Sequence, residues 1–276
     1  MRHLVALLPA LAATHSLEAA PAAPSAQATP TAVATQAPAG GPASAGTSAS
    51  SGGSTSSDDP ASHGANPSIA PFSAHYLADW KSINVGTSDL ELKPDTEPGH
   101  YLYTWTITAR GIFRLYRSEV TQKSWLSVNA DHVRPDKYSA EDGSSSVNLD
   151  FDWSAGRARG TSEDKPVDLK LQEGTQDVMS IQVEVMLDLK KGDLPKTFQI
   201  IDKDQLKEFN YSNEGSARIR TALGELDTVI VSSQQTGNNR ILRMWFAPSL
   251  GFVPVQAERT RDGKLEFAMH IKSLDR

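Results

Sequence analysis

Apolar and polar residues alternate along most of the chain from residue 72 to residue 273. The most regular segment is 101–109, in which every second position is apolar and the positions between them are mostly threonine. Its apolar positions are Tyr101, Tyr103, Trp105, Ile107 and Ala109. A period of two is typical of a β-strand with one buried face, and similar segments follow at short intervals. The pattern therefore predicts an antiparallel β domain.

Residues with special backbone preferences separate these segments. Asp262–Gly263 is typical of a tight hairpin turn, and Gly86 predicts a bulge or bend within a strand. Further turns are predicted at Ser154–Arg157, at Arg134–Pro135 and at Asn213–Gly215. The segments between the turns give about eleven strands.

One segment departs from this period. Between Thr175 and Lys191, apolar residues recur at spacings of three and four, which predicts an α-helix. Thr175 is a candidate N-cap, Asp177 would lie in the first turn, and Gly192 would end the helix. The predicted fold is mainly β: a curved antiparallel sheet that forms an open or nearly closed barrel of about eleven strands, with one inserted helix.

The first 70 residues differ from the rest in composition. Residues 1–16 combine an early positive charge, an apolar run of about ten residues and small residues, which is the layout of a signal peptide. All but seven of the 50 residues from 19 to 68 are alanine, serine, proline, glycine or threonine, and such a segment cannot bury enough apolar surface to fold. We therefore expect a signal peptide at 1–16, a disordered linker at 17–70 and an antiparallel β-barrel-like domain at 71–276, in a periplasmic or secreted protein.

Charge and cysteine content exclude several partners and chemistries. The chain has 27 basic and 33 acidic residues, so its net charge gives no electrostatic reason to expect nucleic acid or an anionic membrane surface as a partner. It has no cysteine, which excludes disulfides, thiol nucleophiles, cysteine-bound metals and a lipid anchor on an acylated cysteine. The apolar N-terminal run is too short for a membrane span, which needs about 20 residues.

Candidate catalytic residues are few. The sequence holds no nucleophile elbow, zinc-protease motif, phosphate-binding loop or dinucleotide fingerprint, and its histidines lack metal-site spacing, so we expect no metal and no cofactor. Asp150 and Asp152 share one strand face, which permits a catalytic carboxylate pair, but the solvated face of an amphipathic strand is the simpler interpretation. Gln176, Asp177 and Ser180 are compatible with polar groups at a cavity mouth, and helix capping explains them with fewer assumptions.

The aromatic residues of the domain offer the best candidate site. Several lie on strand faces that we expect to point inward, where they would line an apolar cavity for an acyl chain or another amphiphile. The candidate lining residues are Tyr101, Tyr103, Trp105, Trp125, Trp245 and Phe246. A packed barrel core would use the same large side chains, so both interpretations stay open.

Short motifs along the domain resemble one bacterial family. They are the strand from Tyr76 to Gly86 with its early glycine, Trp125–Leu126, Arg134–Pro135, the helix opening Gln176–Ser180, and the aromatic strand Arg243–Pro248 leading into Phe252–Val255. Together they are similar to an envelope family catalogued as domain of unknown function, number three-one-zero-eight. The resemblance covers residues 72–273. It implies a barrel-like antiparallel sheet, similar to periplasmic lipoprotein carriers, with a helix in or over its mouth.

These observations support one leading hypothesis and two alternatives. We expect a non-enzymatic periplasmic protein that binds a lipid-like or other hydrophobic ligand in an open β barrel. The main alternative is a structural or scaffolding module that engages envelope proteins through its surface or a sheet edge. An envelope hydrolase is less favoured, because it needs a nucleophile–base pair within hydrogen-bond reach.

Overall fold

The structure, a computed structural model, describes residues 69–115, 119–129, 132–143, 145–194 and 196–276. The predicted signal peptide and nearly all of the predicted linker lie outside these residues. The strands are β1 (Phe72–Trp80), β2 (Ile83–Pro94), β3 (His100–Ala109), β4 (Glu119–Val128), β5 (Val133–Glu141), β6 (Ser146–Asp152), β7 (Arg157–Ser162), β8 (Lys165–Lys170), β9 (Gln176–Asp177), β10 (Thr197–Asp202), β11 (Gln205–Thr221), β12 (Gly224–Gln235), β13 (Arg240–Ala247), β14 (Val253–Arg261) and β15 (Lys264–Asp275). The helix α1 comprises Ser180–Lys191, and 3₁₀ turns lie at Gly111–Leu115 and Pro248–Leu250.

The fifteen strands of the described residues belong to one sheet, in the order β8-β7-β6-β5-β4-β3-β2-β1-β15-β14-β13-β12-β11-β10-β9. The first strand, β1, pairs with β2 on one side and with the last strand, β15, on the other. Antiparallel pairs of consecutive strands continue outward from both, and the short pair of β9 with β10 is parallel. The mainly β fold, a curved antiparallel sheet with one helix, is confirmed. It has more strands than the predicted count of about eleven. Hydrogen bonds do not close the sheet into a barrel in the residues described.

Two of the predicted turns lie inside strands. Arg134–Pro135 belongs to β5. Proline cannot donate a ladder hydrogen bond, and a shift in the register of β5 against β4, between Trp125 and Leu126, accommodates Pro135. Asn213–Gly215 is a bulge within the long strand β11, stabilised by a hydrogen bond from the Gly215 N–H to the Asn213 side chain. Both turn predictions were wrong because a bulge accommodates turn-forming residues without ending the strand.

The predicted bulge at Gly86 and the hairpin turn at Asp262–Gly263 are confirmed. The register between β1 and β2 shifts next to Gly86, between Ala78 and Asp79. A Cβ at position 86 would lie 2.1 Å from the carbonyl oxygen of Thr108 on β3, so this close approach requires glycine. Asp262 and Gly263 have φ angles of 50° and 72°, and positive φ at both central residues is what a two-residue hairpin turn favours.

Helix α1 begins later than its periodicity predicts. It starts at Ser180, and the predicted N-cap Thr175 instead accepts the Gln172 N–H through its hydroxyl oxygen at 3.1 Å. The intervening Gln176–Asp177 pair forms β9. The predicted end at Gly192 is confirmed, because this glycine has a φ of 79° and its N–H binds carbonyls of the last turn.

The helix lies within the hydrophobic core. The first nine of its twelve residues, Ser180–Asp188, are all buried. The helix is therefore covered on every side and not only along one face. The buried face of the sheet and the helix share one hydrophobic core. At one end, the turn between β7 and β8 reaches the turn between β10 and β11, where Glu163 Oε1 and Lys203 Nζ are 2.7 Å apart. This ion pair joins strands that are distant in the sheet order, as the strong curvature of the sheet allows.

Candidate functional site

Three polar side chains lie side by side on the buried face of the sheet. Tyr103 of β3 pairs with Ser124 of β4, and Ser124 pairs with Tyr138 of β5. All three are buried. Residues directly opposite each other on neighbouring strands point to the same face, which is why three distant segments bring hydroxyl groups together here.

Asp177 connects this part of the sheet to the start of α1. Its Oδ1 accepts the N–H groups of Met179 at 2.7 Å and Ser180 at 2.8 Å, and its own N–H donates to the Ser180 hydroxyl at 2.9 Å. This reciprocal arrangement satisfies free donors at the helix start, so the capping interpretation of Asp177 and Ser180 is confirmed. The second carboxylate oxygen, Oδ2, accepts the Ser124 hydroxyl at 2.6 Å. Burial raises the pKa of Asp177 to about 6, against the lowering effect of these hydrogen bonds.

Further polar side chains join the helix region to the sheet. The Tyr103 hydroxyl donates to Gln182 Oε1 at 2.5 Å. Glu184 Oε2 accepts the backbone N–H of Val133, and Gln176 Nε2 donates to the Val133 carbonyl at 2.8 Å, so both backbone groups of one residue are held. Burial raises the pKa of Glu184 to about 7, although the Val133 hydrogen bond acts to lower it. We call these side chains the polar cluster: Tyr103, Ser124, Gln176, Asp177, Gln182 and Glu184.

Two buried acceptor atoms in this region have no hydrogen-bond partner among the described residues. They are Gln176 Oε1 in the polar cluster and Asp188 Oδ2 one helical turn beyond Glu184. The other oxygen of Asp188 lies 2.7 Å from Lys191 Nζ. An unsatisfied buried acceptor costs about 1–3 kcal/mol, so a donor that reaches either atom would be stabilising.

The six candidate lining residues do not share one face of the sheet. Tyr103, Trp105 and Phe246 belong to the buried core, and Tyr101 packs against it while partly buried. Trp125 and Trp245 are half-buried and stand between buried neighbours along their strands, so they lie on the opposite face. On that face, Lys137 Nζ lies 5.6 Å from the ring centre of Trp125. The structure therefore places three of the six in the core.

No sequence pattern identified the polar cluster as a unit. Asp177, Ser180, Glu184 and Asp188 follow one another at spacings of three and four, so the sequence does contain a polar stripe along α1. Such a stripe is normally the solvated face of an amphipathic helix, and no local signal marks it as buried. The sheet residues that bind this region are Tyr103, Ser124 and Val133. They belong to β3, β4 and β5, which are distant from α1 in the sequence.

The other candidates lie at the surface. Asp150 and Asp152 are exposed, which confirms that they belong to the solvated face of β6. His100 is also at the surface, where its Nδ1 lies 3.4 Å from Asp136. Within the described ranges, no three His, Cys, Asp or Glu residues are arranged to hold a metal ion. No helix in this part of the chain has both the length and the apolar character of a membrane span.

Comparison with known proteins identifies the family. The profile of a family described as a protein of unknown function, DUF3108, matches residues 75–269. The chain belongs to the DUF3108 family. None of the curated proteins matches this DUF3108 chain.

Two solved structures are similar to this DUF3108 protein at low identity. One is a protein from Bacteroides fragilis with a YmcC-like fold, provisionally named as exported. It is 9% identical with a TM-score of 0.32, and the match covers 74% of this chain and 95% of that chain. The other, provisionally named as a lipoprotein, is from Parabacteroides distasonis. It is 8% identical with a TM-score of 0.30, and the match covers 74% and 95% of the two chains.

Proposed function

We propose that this DUF3108 protein is a non-catalytic periplasmic protein that binds a lipid-like amphiphile between its curved sheet and α1. The observation that carries the proposal is the buried Gln176 Oε1, an acceptor without a donor at the border of an apolar core. A hydroxyl or amine group of an amphiphile would satisfy this acceptor while its chain packs against apolar side chains. Asp188 Oδ2 offers a second acceptor of the same kind.

The apolar part of the ligand would contact buried aromatic rings. Tyr103, Trp105 and Phe246 are each no more than 2% exposed. The polar atoms of the first two are already paired, since Tyr103 donates to Gln182 and Trp105 Nε1 donates to Ser88 Oγ at 2.6 Å. These residues therefore offer ring surface to an apolar chain and no free donor.

The geometry of the polar cluster supports a binding role over a catalytic one. Ser124 and Asp177 are a nucleophile–carboxylate pair within hydrogen-bond reach, and a hydrolase would need this carboxylate free to take the proton of the serine. Both residues are fully buried, and Asp177 Oδ1 is occupied by the N–H groups at the start of α1. The pair therefore fits a structural hydrogen bond.

The periplasmic location rests on the first 70 residues. The signal-peptide layout of residues 1–16 supports export, and the linker at 17–70 would act as a spacer ahead of the domain. The expected likeness to periplasmic lipoprotein carriers belongs to this proposal, because such carriers hold lipid chains inside a curved sheet.

The scaffolding alternative has less support at the sheet edge. β8 ends the sheet order on one side, so its outer edge is the place where a partner strand would add. This strand carries Lys165, Pro166 and Lys170, and lysine and proline on an edge strand oppose strand addition.

A ligand pair that differs in one donor group tests the proposal. Monopalmitoylglycerol has free hydroxyl groups, whereas methyl palmitate has the same chain and no donor. We expect the purified protein to bind monopalmitoylglycerol saturably, with a change in tryptophan fluorescence, and to bind methyl palmitate at least about fivefold more weakly, as loss of one buried hydrogen bond implies.

Two glutamine variants separate the acceptor from general effects. Gln176→Leu removes Oε1 and should abolish the preference for the glycerol ester. Gln172→Leu changes an exposed glutamine in the preceding turn and should leave the preference intact. Absence of saturable binding to either lipid, or an unchanged preference in Gln176→Leu, would contradict the proposal.

A further inference from the structure

Three large apolar side chains are strongly exposed at one end of the sheet. Ile112 and Leu115, in the 3₁₀ turn between β3 and β4, are 65% and 83% exposed, and Ile83 at the start of β2 is 60% exposed. No residue of this turn is buried. Leaving such side chains in water is unfavourable, and clusters of them mark interaction surfaces.

Strand pairing places these residues at the same end of the sheet. The Arg110 N–H donates to the Val85 carbonyl at 2.8 Å, which holds the start of the turn against β2. Gly86 pairs with Ala109 where the β2–β3 ladder ends, so Ile83 at the start of β2 and the 3₁₀ turn that follows β3 lie at one end of neighbouring strands. We call Ile83, Ile112 and Leu115 the rim patch.

Cationic side chains surround the rim patch. Lys81, Arg110 and Arg114 lie in the two connections that carry it and are exposed. The neighbouring turn between β14 and β15 adds two more exposed cations, Arg261 and Lys264, and it is adjacent because the Lys81 N–H donates to the Glu266 carbonyl at 3.1 Å. The carboxylates beside these groups are Asp79, Glu119, Asp262 and Glu266, and that of Glu266 is paired with Arg240 and Arg259.

This local excess of positive charge contrasts with a chain whose net charge is −6. The overall charge gave no reason to expect an anionic surface as a partner, but attraction to a surface depends on the charges that face it. Exposed aliphatic side chains bordered by lysine and arginine are the combination that binds at a bilayer interface, with the apolar groups among the acyl chains and the cations at the headgroups.

We propose that the rim patch docks the protein on the surface of an anionic phospholipid bilayer. Ile112 and Leu115 enter the interface, and Lys81 and Arg110 bind the headgroup phosphates. Docking requires no ligand in the core, so it stands independently of the proposed lipid binding. It would also place the sheet and α1 beside a source of amphiphiles.

Sedimentation with vesicles of defined composition tests the proposal. The protein is mixed with vesicles of phosphatidylcholine alone or with added phosphatidylglycerol, at low and at high salt. We expect binding to the phosphatidylglycerol vesicles that weakens at high salt, because exposed charges are screened. We expect little binding to phosphatidylcholine alone.

Variants separate the two contributions. Ile112→Ser/Leu115→Ser should weaken binding about tenfold or more, because it removes the inserted apolar groups. Lys81→Gln/Arg110→Gln should weaken it roughly fivefold for each charge removed. The matched control Arg218→Gln/Leu223→Ser changes an exposed cation and an exposed leucine at the opposite end of the strands and should leave binding unchanged. Circular dichroism should show the same fold for all variants.

Three results would overturn the proposal. One is failure of the unmodified protein to sediment with anionic vesicles. Another is equal binding to both vesicle types. The third is a dimer in light scattering that Ile112→Ser/Leu115→Ser disperses, without vesicle binding, which would assign the rim patch to a second copy of the chain.

Discussion

Glu184 is a buried carboxyl residue at which burial opposes ionisation. It lies within the run of buried α1 residues, and burial raises its pKa to about 7 from 4.5. A group whose pKa is raised in the folded state binds its proton more tightly there than in the unfolded chain. Its contribution to stability is therefore complete below pH 4.5 and is lost as the pH rises through about 7. Asp177 acts in the same direction between pH 3.8 and about 6.

Replacing Glu184 with an uncharged residue should remove much of this pH dependence. In urea denaturation, the free energy of unfolding of the unmodified protein should fall as the pH rises from about 5 to about 8. Glu184 should account for on the order of 2 kcal/mol of this fall. Glu184→Gln keeps an oxygen for the Val133 N–H and should give a flatter profile. Parallel profiles for the two proteins would show that Glu184 does not titrate with folding.

Gly86 is a residue at which a close backbone approach leaves little freedom. Because a Cβ there would lie 2.1 Å from the Thr108 carbonyl oxygen, Gly86→Ala must push β2 and β3 apart. We expect the free energy of unfolding to fall by about 3 kcal/mol in urea denaturation. Gly143→Ala is the control, because its Cβ would meet nothing within 4 Å and only its positive φ opposes the change. A loss of about 1 kcal/mol is expected there, and equal losses at both positions would contradict the packing argument.

The residue at which α1 begins is determined by contacts with other elements of the fold. The sequence predicts the helix and its end at Gly192, but the four- to five-residue error at its beginning arises because β9 pairs with β10. Asp177 then caps the helix while its other oxygen is held by Ser124 of β4. A local pattern cannot reveal a cap whose position depends on a strand about fifty residues away.

Ser124→Ala tests how much this contact stabilises the helix start. It leaves Asp177 Oδ2 buried without its donor, so the free energy of unfolding should fall by about 1–3 kcal/mol, with the larger loss above pH 6, where the carboxylate is charged. Ser127→Ala, on the other face of the same strand, should change stability by no more than about 0.5 kcal/mol. A loss in Ser124→Ala as small as in the control would contradict a stabilising role for the contact.

At the scale of the whole molecule, the sequence predicts the class of the fold better than its topology. Alternation identifies strands such as β3 and β6 because one face of each is buried. One strand that was missed is β5, because Pro135 suggested a turn, whereas β5 accommodates it at a bulge. Another is β9, whose two residues lie within the segment predicted as helix. The local pattern also could not show that α1 is buried on every side, since the residues that cover it come from distant strands.

The candidate site was predicted only in part for the same reason. Tyr103, Trp105 and Phe246 were identified by their apolar strand faces, and the structure places all three in the core. Trp125 and Trp245 lie on the other face, since strand alternation separates each from its buried neighbours. The polar cluster exists because β3, β4 and β5 meet the start of α1, an encounter that no segment encodes by itself.

Native mass spectrometry of the protein purified from its native cells, followed by organic extraction and lipid analysis, tests the central claim most directly. The account predicts a stoichiometric adduct whose extracted ligand has an acyl chain and a hydroxyl or amine donor. A mass equal to that of the polypeptide alone, unchanged after exposure to envelope lipids, would contradict lipid binding in the core.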